Sequence, residues 1–314
     1  MANSKPLPVV CLAGPTGTGK TAMALALAEA LGGEVINADS RQVYADFPVI
    51  TAQPTDAQRA RCPHHCYAFL PAARKTSAGR WAEAACHAAR AALARGKTPL
   101  LVGGTGLYFQ ALLRGMAEIP AADPAVGAEL AARLAGGGLP ALRGELVRVD
   151  AAYAARVHPN DRQRILRALE VFYATKHPFS WWHANARTKA LCRGPLITLE
   201  ADLDALTPRL ARRIERMIAD GAFEEVRRAL AACPDTDAPG WSCIGAAEAL
   251  ACLQGKISRG ECARLWLKNT RAYAKRQLTW FRARAEARFV APGDTAAALA
   301  LARGRDFQGD FTSP

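Results

Sequence analysis

Gly14-Pro15-Thr16-Gly17-Thr18-Gly19-Lys20-Thr21 matches the phosphate-loop spacing G-x-x-x-x-G-K-[ST] at every fixed position. Its flanks agree with it. Val9-Val10-Cys11-Leu12-Ala13 reads as a short buried strand, and Thr21 to Leu31 as a helix. Glycines let such a turn expose successive backbone N–H groups, and the helix N-terminus adds partial positive charge aimed at an anion. In this arrangement Gly14, Pro15, Thr16, Gly17, Thr18 and Gly19 wrap the phosphates. Lys20 reaches their terminal oxygens and the Thr21 hydroxyl ligates Mg2+. The loop specifies phosphates and leaves the reaction open.

The rest of the chain narrows the class. It has 314 residues, half of them hydrophobic, with mean hydropathy near zero. That suits one sizeable core carrying an insertion, or two domains. No apolar run reaches the length of about 18 residues that a membrane helix needs, so no membrane span is expected. Met1 to Leu7 lacks the apolar stretch of a secretory signal, which points to the cytoplasm. The nine cysteines, an odd number without framework spacing, fit reduced thiols there. Cys62-Pro63-His64-His65-Cys66 is a single short cluster with no second ligand pair at zinc-finger spacing, so packed or polar structural histidines are expected. A formal net charge of +13 favours a polyanionic partner through phosphate neutralisation.

Strand and helix alternate through the first 115 residues. Gly33 to Ala38 is a strand ending at Asp39, Ser77 to Arg95 a helix, and Thr98 to Val102 a strand running into Gly103-Gly104-Thr105-Gly106. This pattern predicts an α/β fold, a parallel P-loop NTPase-like sheet flanked by helices. Ligands of such sheets lie at the strand carboxyl ends, where the phosphate loop, Asp39 and Thr105 all fall. From Met116 the character changes: a linker-like stretch, Ile119-Pro120-Ala121-Ala122-Asp123-Pro124, then Ala-rich helices, a Gly136-Gly137-Gly138 break, and a helix from His158 to Tyr173 capped by Asn160 or Asp161. Strand character returns at Leu196 to Leu199. The expected division is a core of 1–115 with 195–314 and a mostly helical insertion over 116–194. Near the C-terminus, Lys268 to Arg284 reads as a helix. Lys268, Arg271, Lys275 and Arg282 share one stripe, and Leu267, Ala274, Leu278 and Phe281 an adjacent one. The basic stripe suits a polyanion, and a merely solvated face fits the same spacing.

Asp39, in Asp39-Ser40-Arg41-Gln42, reads as a general base beside the phosphorylated ligand, with helix cap or magnesium ligand as alternatives. Thr105 holds its own turn or meets a substrate that the flanking glycines let approach closely. The usual carboxylate after the third strand is missing, since Leu100-Leu101-Val102 runs into Gly103-Gly104. The loop is therefore compatible with phosphate binding without ATP hydrolysis.

Ordered blocks carry a resemblance: Gly14–Thr21, Asn37 to Tyr44, Pro63-His64-His65, Gly103 to Tyr108, His158-Pro159-Asn160-Asp161 with Gln163 to Glu170, and Thr270-Arg271 through Arg282. Together they resemble the bacterial tRNA dimethylallyltransferase family. The resemblance implies transfer of a prenyl group from dimethylallyl diphosphate to N6 of the adenosine just 3′ of the anticodon. It makes Asp39 the base, Thr105 a contact to the same adenine, and Arg213 a diphosphate and catalytic residue, with Arg209 a second candidate. Ser40, Arg41 and Gln42 match tRNA contacts, as do Gln163, Arg164, Ile165, Leu166 and Arg167. Arg271 and Lys275 extend that set from the basic stripe. The insertion resembles a helical domain that closes on the anticodon stem-loop, and a monomer is expected.

The chain departs from the family pattern at Gln53, where a lysine is usual, and at Gly127, where an arginine is. It departs again at Ser242, Ala246 and Ala247, within Ser242-Cys243-Ile244-Gly245-Ala246-Ala247. A small-molecule kinase, a free-nucleotide prenyltransferase and a non-catalytic tRNA-binding relative are the alternatives.

Overall fold

The computed structural model describes residues 5–120, 123–186 and 188–304, so Ala121 and Ala122 of the linker-like stretch lie outside the described residues. The chain divides into two compact units, Met1–Arg114 with Ala190–Pro314, and Gly115–Lys189.

The first unit is built on parallel strands. In chain order they are β1 (Leu7–Pro8), β2 (Val10–Ala13), β3 (Gly33–Asn37), β4 (His64–His65), β5 (Thr98–Gly103), β6 (Cys192–Arg193), β7 (Leu196–Leu199) and β8 (Ala287–Val290). The main sheet has the order β4-β3-β5-β2-β7-β8, all neighbours parallel. Both faces of its central strands are covered, which is why β2 (Val-Cys-Leu-Ala) is a continuous apolar run rather than an alternating one. Along β2, Cys11 and Ala13 enter one core cluster while Val10 and Leu12 enter the other, as the two-residue period of a strand requires. Helix Ala78–Ala94 and helix Gly106–Leu113 supply residues to the first cluster, and helices Lys20–Leu31 and Thr295–Ala302 to the second.

Helix Lys20–Leu31 starts after Gly19 and stops at Gly32, both in the left-handed region (φ 94° and 59°), and the Gly32 N–H closes on Ala28 O. The helix expected from Lys268 starts earlier than that. It runs Arg259–Arg282, because Ser258 caps its start by accepting a hydrogen bond from Glu261 N.

The chain also returns to the first unit earlier than residue 195. Leu191 N donates to Leu112 O (2.8 Å), and β6 pairs with β1, so residues 190–194 belong to the core. Two-residue strands carry too little periodicity to be read from sequence.

The second unit is helical: Pro124–Val149, Ala151–Ala154, Arg162–Thr175 and Phe179–Asn185. Gly138 (φ 72°) kinks the first of these within the triple-glycine run. Asp161, rather than Asn160, caps Arg162–Thr175. Leu130, Leu142, Leu146, Ile165, Ala168 and Leu169 form the unit's own core.

Candidate active site

Because every strand of the main sheet is parallel, the segments following β2, β3 and β5 emerge along one edge. Two of them cross in contact. Ala38 N donates to Val102 O and Thr105 N to Ala38 O (2.8 and 3.1 Å). A Cβ on Gly103 would stand 2.1 Å from the Ala38 carbonyl carbon, so only glycine admits this crossing.

Asp39 is held from several sides. Its N–H donates to Asn37 Oδ1, and its Oδ1 accepts from Arg41 N, each at 2.8 Å. Asn37 is fully buried and donates through Nδ2 to Asp39 O and Cys66 O (3.0 Å each). The Asn37 carbonyl accepts from Trp81 Nε1 (2.9 Å), whose ring stacks on Tyr108 at 3.9 Å. Thr105 is joined to the same segment: its hydroxyl accepts from Ser40 N (2.9 Å) and lies 3.2 Å from Ser40 Oγ. Tyr273, from helix Arg259–Arg282, lies beside Thr105. Burial, reinforced by the Asp39 charge, pushes its phenol well above the usual range.

The phosphate loop has positive φ at Gly14, Gly17 and Gly19 (146°, 85° and 94°). The buried Thr18 hydroxyl donates to Pro15 O (2.9 Å). Lys20 Nζ lies over the loop, donating to Gly14 O (2.9 Å) and Pro15 O (2.7 Å). Desolvation lowers the Lys20 pKa to about 8, with the Asp39 charge raising it and Arg213 lowering it further. Arg213 is likewise desolvated, which lowers its pKa while Asp39 opposes the shift. Lys20, Arg213 and Asp39 therefore form one charge cluster. Thr16, Asp39, Arg41 and Arg213 line a cavity whose wall is largely apolar: Ile50, Leu210, Ile214, Met217, Ile244, Trp266 and Tyr273. On another side of the loop, Thr18, Arg209 and Arg282 border a second cavity of about 620 Å³ with Glu200 and Asp202.

Sequence reasoning passed over Gln277. It is buried, accepts from Thr16 N through Oε1 (2.9 Å) and donates from Nε2 to Gly104 O (3.0 Å). A polar residue among Ala274, Leu278 and Phe281 on the apolar side of that helix is the signal that could have found it. Ile50, Ile244 and Trp266 were equally hidden, since nothing local separates a cavity wall from core.

The expected RNA-facing residues meet different fates. Arg41 lines the first cavity and its guanidinium donates to Ser242 Oγ. Gln42 spends its amide on Thr51 O and Ala52 O (3.0 and 2.8 Å), holding the turn that follows. Gln53 is buried against Tyr44 O (2.8 Å) and Ala246 is buried, whereas Gly127 and Ala247 border open space or solvent.

Lys268, Arg271, Lys275 and Arg282 are exposed, but Arg271 is paired with Asp204 (2.5 Å) and bonded to Thr207 Oγ1 (3.0 Å). In the helical unit Gln163 is exposed, Arg164 pairs with Asp161 (3.2 Å) and Arg167 with Glu170 (3.4 Å). Leu166 is partly buried. Ile165 is a correction: its side chain is fully buried in the unit's core, so it presents nothing to an RNA.

The Cys62–Cys66 segment is tied into the fold by its histidines. His65 Nε2 contacts Glu34 Oε2 at 2.7 Å, and Glu34 also receives Arg95. His64 Nδ1 lies 2.8 Å from Cys62 O. Among the described residues no group of three Asp, Glu, His or Cys side chains is placed to hold a metal ion.

A phosphate loop after β2 at the carboxyl edge of a parallel sheet, with an aspartate at the end of β3 two strands away, defines a P-loop α/β protein. A family model described as IPP transferase matches residues 42–284, and another described as isopentenyl transferase matches residues 7–62. The chain belongs to the IPP transferase family. It is 62% identical to the tRNA dimethylallyltransferase of Desulfovibrio desulfuricans over 299 residues, covering 95% of this chain and 93% of that one. To the enzyme of the same name from Rhodopseudomonas palustris it is 45% identical, covering 92% and 93%.

Among solved structures it is similar to the full-length tRNA isopentenylpyrophosphate transferase of Bacillus halodurans (TM-score 0.66, 30% identity, 97% and 96% of the chains covered). It is also similar to a eukaryotic dimethylallyltransferase acting on tRNA (TM-score 0.78, 27% identity, 96% and 77% covered). These relatives are transferases, which sets the chain apart from the kinase and the non-catalytic alternatives.

Proposed function

We propose that this chain transfers a dimethylallyl group from dimethylallyl diphosphate to N6 of the adenosine just 3′ of the anticodon (position 37) in tRNA, releasing diphosphate. The observation that carries this reading is the cluster of Lys20, Arg213 and Asp39 beside an apolar-walled cavity. Cations and loop amides suit a diphosphate. The wall of Ile50, Leu210, Ile214, Met217 and Ile244 suits a five-carbon chain.

In this mechanism N6 forms a bond to the allylic C1 as the C1–oxygen bond breaks, its electron pair leaving on diphosphate. Lys20, Arg213 and the loop amides stabilise the negative charge growing on that oxygen. The Asp39 carboxylate takes the N6 proton, in a position fixed by Asn37 and the Arg41 amide. Thr105, tied to Ser40, orients the adenine edge. The base reaches this cavity only by leaving the anticodon-loop stack.

Magnesium fits the donor set. Thr21 is exposed in the first helical turn, and without a cage of acidic side chains the ion would rest on that hydroxyl, diphosphate oxygens and water. When bound it neutralises diphosphate charge.

We assign tRNA contacts to Ser40 and Arg41, to Lys275 and Arg271 (the latter exchanging its pairing with Asp204), and to Gln163, Arg164, Leu166 and Arg167 of the helical unit, which grips the anticodon stem-loop. We place the protein in the cytoplasm as a monomer. Its nine cysteines are free, and among the described residues no helix is long and apolar enough to cross a membrane. Mass spectrometry of tRNA nucleosides after incubation with dimethylallyl diphosphate, magnesium and unmodified tRNA tests the reading. A single N6-dimethylallyl adenosine is expected, and unchanged nucleosides with every tRNA would overturn it.

A further inference from the structure

Gln277 joins two loops that meet different substrates, and nothing else in that arrangement is interchangeable with it. Its amide carries one acceptor and one pair of donors. The acceptor takes Thr16 N from the phosphate loop, and a donor reaches Gly104 O, the residue before Thr105. Flipping the amide would set donor against donor and acceptor against acceptor, so the pairing has one sense.

The fit is close: a Cβ on Gly104 would lie 2.0 Å from Gln277 Nε2. The helix cannot easily shift away, because Ala274, Leu278 and Phe281 around Gln277 are all buried and Phe281 packs edge-on against Phe109 at 6.0 Å. Two turns of this buried face thus hold a polar side chain at the junction of donor and acceptor loops.

We infer that Gln277 is a positioning residue, setting the register between the diphosphate clamp and the Thr105 loop so that the allylic carbon and N6 meet within bonding range. It touches neither reacting atom. The inference rests on the transferase reading for its meaning, but one arm of its test does not need that reading.

The test compares wild type, Gln277→Met and Phe281→Leu. Methionine keeps the volume and removes both hydrogen bonds, orphaning Thr16 N–H and Gly104 C=O. Phe281→Leu loosens the same helix without touching either loop. Affinity for inorganic diphosphate is measured by calorimetry. Donor KM, kcat on an anticodon stem-loop, RNA affinity and the thermal midpoint are measured beside it.

For Gln277→Met we expect diphosphate binding about tenfold weaker and kcat lower by about 10²-fold, the scale of a small misplacement of reacting groups. RNA affinity should stay within about twofold, on the ordinary scale of a substitution away from the RNA surface. Phe281→Leu should lower the midpoint while leaving diphosphate affinity and donor KM unchanged. Unaltered diphosphate affinity and kcat in Gln277→Met would overturn the inference. So would equal losses in Phe281→Leu, which would make the effect one of helix packing. Absence of transfer by wild type would refute the transferase reading alone, and the calorimetric comparison would still decide the role of Gln277. Should Gln277→Met fail to fold, Gln277→Glu at its place, keeping an acceptor for Thr16 N, is expected to fold with diphosphate affinity reduced; unreduced affinity there would overturn the inference.

Discussion

The sheet's carboxyl edge and the helical unit at 115–189 both hold polar residues assigned to the reaction, but they hold them differently. At the sheet edge Asp39, Thr105 and Lys20 are each tied by hydrogen bonds to backbone atoms. On helix Arg162–Thr175 the exposed Arg164 and the partly exposed Arg167 meet carboxylates of the cap and of their own helix, at 3.2 and 3.4 Å. Exposed pairs of that kind are worth about 0–1 kcal/mol and exchange readily for a phosphate. Chemistry needs atoms held in advance, whereas grip on a polyanion needs charge that can move. The first site is therefore built to be rigid and the second to be adjustable.

Substitutions at the sheet edge should separate rate from RNA affinity. The largest effect is expected from Asp39→Ala: kcat should fall by about 10²–10⁴-fold, with tRNA affinity little changed in a filter-binding assay. Full activity would remove Asp39 from the base role. Lys20→Met should lower kcat/KM for the donor by about 10²-fold, the usual loss for one oxyanion-stabilising donor, again with little change in tRNA affinity.

A pH profile sharpens the same point. The Lys20 pKa is lowered to about 8, so its ammonium is present below that pH and lost above it. Donor kcat/KM should fall as pH rises through about 8. With donor bound, the diphosphate raises the Lys20 pKa, so the fall in kcat should lie at higher pH. Coincident profiles would mean that Lys20 does not meet the diphosphate.

Within the helical unit, Ile165→Ala should destabilise by about 2–5 kcal/mol as a core truncation, read by thermal unfolding, while Gln163→Ala should leave stability within about 0.5 kcal/mol. The smallest effect is expected from Lys275→Ala: a few-fold weaker tRNA binding, a salt slope lower by about one, and unchanged kcat at saturating tRNA.

Much of the sheet edge was legible because its signals are local. The phosphate-loop spacing, the strands Val10–Ala13, Gly33–Asn37 and Thr98–Gly103, and the glycines around Thr105 each carry a constraint within a few residues. What escaped was long-range. Gln277 looks like any polar residue on a helix until the fold sets it against Thr16 and Gly104. The bonds from Gln42 Nε2 to Thr51 O and Ala52 O, which hold the turn that follows, were equally hidden. Ile165 sits inside a block of polar residues, and only the helical period, read against the unit's core, shows it facing inward.

The sequence by itself determined that this chain carries a phosphate loop on a parallel sheet, with Asp39 and Thr105 at strand carboxyl ends, because turn chemistry and strand periodicity act over short stretches. Tertiary structure alone decided which apolar residues line a cavity rather than fill a core. It also decided that desolvation and charge make one cluster of Lys20, Arg213 and Asp39, and that a glutamine some 260 residues downstream bridges the two loops. Burial and electrostatic coupling depend on what comes close in space, and separation along the chain carries no record of it.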